Sequence, residues 1–94
     1  MIVEKADVVI SLCGRDEGKR FLVVGTQDDY SMLADGKSRR VEKPKRKKNK
    51  HMKLEGKAVN PVAAKLLSGE RVTNNEIRRA LAEYAAAVEN KEVC

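Results

Sequence analysis

Aromatic side chains are almost missing from this chain: Phe21, Tyr30 and Tyr84 are the only ones in 94 residues, and there is no tryptophan. A surface that holds single-stranded nucleic acid by stacking successive bases needs a row of such rings, so that mode is excluded. Histidine occurs once, at His51, inside a lysine-rich stretch. A zinc site or a nucleophile with its base needs several partners, and the chain has neither Cys-x-x-Cys nor His-Glu-x-x-His. His51 therefore reads as an exposed addition to a basic surface. Cysteine is limited to Cys13, within an apolar run, and Cys94, the last residue. That is no disulfide framework and points to reduced thiols in a cytosolic setting. No apolar run approaches the ~20 residues that span a bilayer. Glu4 and Asp7 stand where the apolar part of a signal peptide would begin. The expectation is a soluble, cytoplasmic protein with no membrane partner.

What the chain does have is charge. Charged residues make up 36% and hydrophobic ones 41%, a balance that fits one folded domain with a polar appendage better than a disordered chain. At this length folding buries roughly two thirds of the surface, enough for a modest core without metal or disulfides. The net charge of +6 is unevenly placed. From Lys37 to Lys53 ten Lys/Arg stand against Glu42 alone, a balance of +9, whereas the remainder carries ten Lys/Arg and thirteen acids, or −3. Clustering of this kind points to a polyanionic partner.

The chain from Asp7 to Gln27 holds two apolar runs around a charged turn. Val8, Val9, Ile10, Leu12 and Cys13 read as a strand, and Phe21, Leu22, Val23 and Val24 as its hairpin partner. Between them, Gly14 and Gly18 take positive φ without steric cost, and the charged residues of the turn look for solvent. Gln27-Asp28-Asp29 reads as a turn, Tyr30 to Asp35 as a third strand, and Asp35-Gly36 as a tight turn. Ser38 to Glu42 would return as the fourth strand, anchored by Val41, with Pro44 ending the pairing. A fifth short strand around Met52 and Leu54 would close the sheet before Gly56. Several short strands joined by tight turns imply a small antiparallel barrel or sandwich.

The character changes at Asn60-Pro61, where Asn60 as N-cap and Pro61 at the first helical position start a helix that Gly69 ends. Thr73-Asn74-Asn75-Glu76 has the spacing of a capping box, and Ile77, Leu81, Tyr84 and Val88 follow at helical spacing. The division expected is residues 1–56 as a β-domain that includes the basic segment 37–53, with residues 57–94 as a helical hairpin in the same compact unit. The hairpin must bury its stripe against the sheet or a partner.

Chemistry is harder to find. Gly14-Arg15-Asp16-Glu17-Gly18-Lys19-Arg20 approaches a phosphate-binding loop, but it is one residue short between its glycines and has Arg20 where Ser or Thr would hold the metal. It also leads into a strand, so no helix N-terminus awaits a phosphate. Cys13 lacks a base and an electropositive setting, and reads as a half-buried strand thiol. Asp28 and Asp29 read as solvated turn carboxylates. No catalytic residue, metal site, cofactor or small-molecule substrate emerges, and a non-catalytic protein is expected.

The basic segment carries the functional signal. It is either a solvated, flexible charged loop or a nucleic-acid contact abutting a β-domain, and it lacks the interleaved large apolar residues of an interfacial membrane helix. Lysine and arginine without aromatics suit phosphate contacts and shape recognition, the way folded RNA is held. The candidate RNA contacts around the first turn are Arg15, Lys19 and Arg20. Lys37, Arg39, Arg40 and Lys43 precede Pro44, and Lys45, Arg46, Lys47, Lys48, Lys50, His51 and Lys53 follow it. The rival from another class is a protein-interaction adaptor in the translation or transcription machinery, using the β-domain or the helix face.

The stretch Asp7-Val8-Val9-Ile10-Ser11-Leu12-Cys13-Gly14-Arg15-Asp16-Glu17-Gly18-Lys19-Arg20-Phe21-Leu22-Val23-Val24 resembles the KOW motif of ribosomal proteins and transcription elongation factors. With Met32-Leu33-Ala34-Asp35-Gly36 and Arg40 to His51, it is most similar to KOW-type large-subunit ribosomal proteins of archaea and eukaryotes, and to the small bacterial KOW-domain RNA-binding proteins related to them. The resemblance spans roughly the first 55 residues. It implies an SH3-like β-barrel that binds ribosomal RNA or the ribosome; ribosomal proteins enter as partners through the adaptor reading. It makes Gly18 the key glycine and sets Gly14, Arg15 and Lys19 in an RNA-facing loop. Glu17 departs from the basic residue that many such motifs carry there.

Overall fold

The computed structural model describes residues 2–92. Five strands and two helices follow one another: β1 (Asp7–Ser11), β2 (Arg20–Gln27), β3 (Tyr30–Ala34), β4 (Lys45–Lys48), β5 (Met52–Lys57), α1 (Val62–Ser68) and α2 (Asn74–Glu92). A single 3₁₀ turn, Asn49–His51, joins β4 to β5. The strands form one sheet in the order β4-β3-β2-β1-β5, so β4 and β5 are its edges and the sheet is not closed. Every pairing is antiparallel. Register shifts between Val8 and Val9 and between Val23 and Gly25 mark bulges, which bend a sheet and increase its twist.

Alternation along β1 and β2 sends apolar residues to both faces, so both must be covered. On one face Val8, Leu22 and Ala34 pack with Val62, Ala63 and Leu66 of α1 and Ile77 and Ala80 of α2. The helical stripe is therefore buried against the sheet of its own chain. On the other face Val9, Phe21, Val23, Leu33 and Met52 form a second cluster, joined by Val3 and by no helical residue. Of these, Val9, Phe21, Val23 and Leu33 are fully buried.

Several expected elements form with shifted bounds. β1 stops at Ser11, so Leu12 and Cys13 belong to the following loop, while β5 continues to Lys57. Gly69 ends α1 in the left-handed conformation at φ 82°. The capping box closes: the Thr73 amide donates to Glu76 Oε1 at 3.1 Å and the Glu76 amide to Thr73 Oγ1 at 3.2 Å. The start of α1 differs, because Pro61 is the N-cap, no side chain caps it, and the Asn60–Pro61 peptide is cis. Cys94 lies outside the described residues.

The main departure is the fourth strand. Ser38–Glu42 is not extended; β4 is Lys45–Lys48, directly after Pro44. The reason lies in where the amides of the connecting segment go. Asp35 Oδ1 accepts from the Lys37 and Arg39 amides, both at 2.8 Å, and Asn74 Oδ1 accepts from the Val41 amide at 2.7 Å. Asn74 Nδ2 in turn donates to the Glu42 carboxylate at 2.7 and 2.9 Å, and Arg78 donates to the Gly36 carbonyl oxygen. With these donors committed to side chains, the segment is pinned to the first turn of α2. Its amides are not available to the strand ladder. The ladder passes to Lys45–Lys48, and lysine at a sheet edge discourages pairing with other chains.

Candidate nucleic-acid interface

Because β4 is a strand, its four basic side chains alternate between two environments. Lys45 and Lys47 stand opposite Leu33 and Ser31, on the inner face that carries the second cluster. Arg46 and Lys48 stand opposite Met32 and Tyr30, on the other face. The run is thereby divided into a pair that serves the fold and a pair that faces outward.

The inward pair holds the Leu12–Lys19 loop. Lys47 is buried and its Nζ donates to the Cys13 carbonyl oxygen at 3.1 Å. Lys45 Nζ donates to Asp16 Oδ2 at 2.5 Å, Arg39 Nη2 donates to the same oxygen at 3.2 Å, and Lys19 Nζ lies 3.7 Å from Oδ1. Asp16 is only 5% exposed, which corrects the expectation of solvent for this one charge of the turn, whereas Arg15, Glu17 and Lys19 are exposed as expected. The Lys45 hydrogen bond, then that of Arg39, holds the Asp16 carboxyl below its ordinary range despite burial that works the other way. Gly14 and Gly18 take φ 83°, the left-handed conformation that the turn requires. The loop also hydrogen-bonds across β1 and β2, Gly18 to the Ser11 carbonyl oxygen at 2.8 Å. The whole turn is thus a built part of the sheet's end.

The outward pair surrounds Tyr30. The Arg46 guanidinium carbon lies 3.8 Å from the ring centroid and Lys48 Nζ 5.9 Å from it. Stacking of this kind holds a guanidinium plane in one orientation while its charge remains accessible. Lys50, His51 and Lys53 are exposed just beyond, in the 3₁₀ turn and the start of β5. Lys37 and Lys43 are exposed on the pinned connection, and Arg15 is exposed on the first loop. None of Arg15, Lys37, Lys43, Arg46, Lys48, Lys50 or Lys53 forms an ion pair among the described residues.

Two candidate contacts are committed elsewhere. Arg20 sits on the helix-bearing face, where its Nε donates to Glu55 Oε1 at 2.5 Å and its guanidinium lies 5.5 Å from the Tyr84 ring. Arg40 is exposed and pairs with Glu42 at 3.5 Å. Sequence reasoning also missed Tyr30, whose partners are set by cross-strand register between β3 and β4. Its position two residues before Met32 in an apolar-alternating strand was the available signal, but the identity of the opposite strand was needed to use it.

No helix among the described residues is long and apolar enough to cross a membrane, and no metal-holding group of acids, cysteines and histidine occurs among them. A groove of about 840 Å³ lies between β2, β3, the pinned connection and the α1–α2 turn, floored by Val24, Met32, Val41, Leu66 and Val72. A second cavity of about 370 Å³ lies at Asp29, Lys48, Asn49 and Lys50. Compared with known proteins, the chain matches no family model, and no curated protein matches it.

Proposed function

We propose that this chain is a non-catalytic, KOW-type RNA-binding protein. On this reading it engages structured RNA, ribosomal RNA in the first instance, and acts in translation or ribosome assembly in the cytoplasm. The sheet is read as an SH3-like barrel. What supports that finer description is the antiparallel order with β1 between β2 and β5, together with a sheet curved enough to bury Phe21, Val23 and Leu33 without help from a helix. The observation that carries the functional reading is the division of β4. Lys45 and Lys47 are spent on the first loop, while Arg46 and Lys48 are fixed on the opposite face with no acidic partner among the described residues. A rigid row of unpaired cations suits the phosphates of a folded RNA, whose backbone is itself fixed in space.

The test separates the two halves of β4. A double variant, Arg46→Glu with Lys48→Glu, should lose about tenfold or more in affinity for a ribosomal RNA fragment at moderate salt. Its thermal melt should stay close to that of the wild type. Unchanged RNA affinity in a folded double variant would refute the reading.

A further inference from the structure

We propose that the cavity beside the Tyr30–Arg46 stack is a subsite for one unpaired guanine nucleotide of the bound RNA. The inference rests on the RNA-binding reading and adds a specificity to it. The cavity, about 370 Å³, is lined by Asp29, Lys48, Asn49 and Lys50, a size within the range of small-ligand pockets. Its walls are tied together. The Asn49 amide donates to the Asp29 carbonyl oxygen at 2.8 Å, and Ser31 Oγ donates to Asn49 Oδ1 at 2.6 Å. The β2–β3 turn and the 3₁₀ turn therefore hold a fixed spacing.

Two chemistries meet in the cavity and a third lies beside it. Lys48, shared between the cavity and the Tyr30 ring, and Lys50 bring two ammonium groups without acidic partners among the described residues, suited to the nucleotide's phosphates. Arg46, exposed overall and outside the cavity lining, has its guanidinium carbon 3.8 Å from the centroid of the neighbouring Tyr30 ring, and its planar group is one on which an extruded base can stack. The Asp29 carboxylate makes no hydrogen bond or ion pair among the described residues, although Lys48 and Lys50 line the same cavity. A site for phosphate alone has no use for a carboxylate, which repels the ligand. A carboxylate offers two adjacent acceptors, and guanine is the base whose Watson–Crick edge presents two adjacent donors. Adenine, cytosine and uracil set a donor beside an acceptor there, which the carboxylate would oppose.

The experiment uses the full chain and RNA hairpins that are identical except for a single bulged nucleotide, G, A, C or U, with an unbulged hairpin beside them. Affinities are read by fluorescence anisotropy at one salt concentration. The bulged-G hairpin should bind about fivefold or more tightly than the other four, the scale of one good two-bond base contact. Asp29→Asn should abolish that preference, leaving the bulged-G hairpin level with the other bulges; because the Asp29 side chain has no partner among the described residues, the variant should melt like the wild type. Arg46→Lys, which keeps the charge and loses the plane, should weaken the bulged hairpins more than the unbulged one. Equal binding of all four bulges, or a guanine preference that survives Asp29→Asn, would overturn the subsite while leaving RNA binding intact. Failure to bind any hairpin at low salt would overturn the subsite together with the reading beneath it.

Discussion

Replacing Asp16 by Asn should destabilise the fold through the first loop without weakening RNA binding. Asp16 is 5% exposed, and its carboxylate accepts from Lys45 at 2.5 Å and from Arg39 at 3.2 Å. Lys19, with a side chain 54% exposed and 3.7 Å away, adds little. Hydrogen bonds to charged groups contribute about 1.5–3 kcal/mol each when well desolvated, but Lys45 and Arg39 keep part of their surface in water, so the pair is worth about 2–3 kcal/mol in all. For a domain of this length that lowers the melting temperature by about 10–20 °C. The assay is a thermal melt followed by circular dichroism, with RNA binding measured well below the transition. Affinity there should be equal to or above that of the wild type, because the change releases two cations and removes one anion. A melting temperature within about 2 °C of the wild type would refute the claim that Asp16 organises the loop.

The same carboxylate gives a pH signature. Its folded value is depressed, so its contribution is fully present above the ordinary carboxylate range of about 4 and is lost as pH falls from there through the folded value. The stability gap between wild type and Asp16→Asn, from denaturant titrations at several pH values, should be constant near neutrality and shrink below about pH 4; a gap that widens in acid would contradict it. At Gly36, φ is +77° and a Cβ would collide with the Asn74 carbonyl oxygen, whereas at Gly18, φ is +83° and nothing lies within 4 Å of a Cβ. Gly18→Ala should therefore cost only backbone strain, about 1–2 kcal/mol, and Gly36→Ala clearly more, with detachment of the pinned connection from α2. Equal costs for the two would show that the connection is not held there. Thr73→Ala opens the capping box at the start of α2 and should cost about 1 kcal/mol by denaturant titration, without effect on RNA affinity.

The strands and helices that carry apolar periodicity were readable from the chain. Val8 to Ile10, Phe21 to Val24 and Met32 to Ala34 alternate or run apolar because both faces of the sheet are buried, and Ile77, Leu81 and Tyr84 keep helical spacing because one stripe of α2 packs on that sheet. Local chemistry was readable too: the Thr73–Glu76 box and the Gly69 cap involve neighbours a few residues apart. β4 was not, since none of Lys45 to Lys48 is apolar, and its existence depends on β3 needing a partner once Asp35, Asn74 and Arg78 have taken up the intervening segment. The burial of Asp16 was hidden for the same reason, since its cations lie 23 and 29 residues further along. For the candidate site, composition located the basic segment but could not say which of its cations the fold consumes. That division follows from strand alternation and becomes visible only once the strand is known. It also changes how charge reversal should be designed: altering Lys45 and Lys47 together with Arg46 and Lys48 would confound loss of binding with loss of the first loop.

The most direct measurement is the salt dependence of RNA affinity for the wild type and for an Arg46→Gln, Lys48→Gln variant. The account predicts a linear fall of log K with log salt in the wild type, at about −0.7 to −0.9 per phosphate neutralised, and a slope shallower by about 1.4–1.8 in the variant, for two lost contacts. A flat response in the wild type, or equal slopes in the two proteins, would contradict the claim that the outward half of β4 holds the RNA.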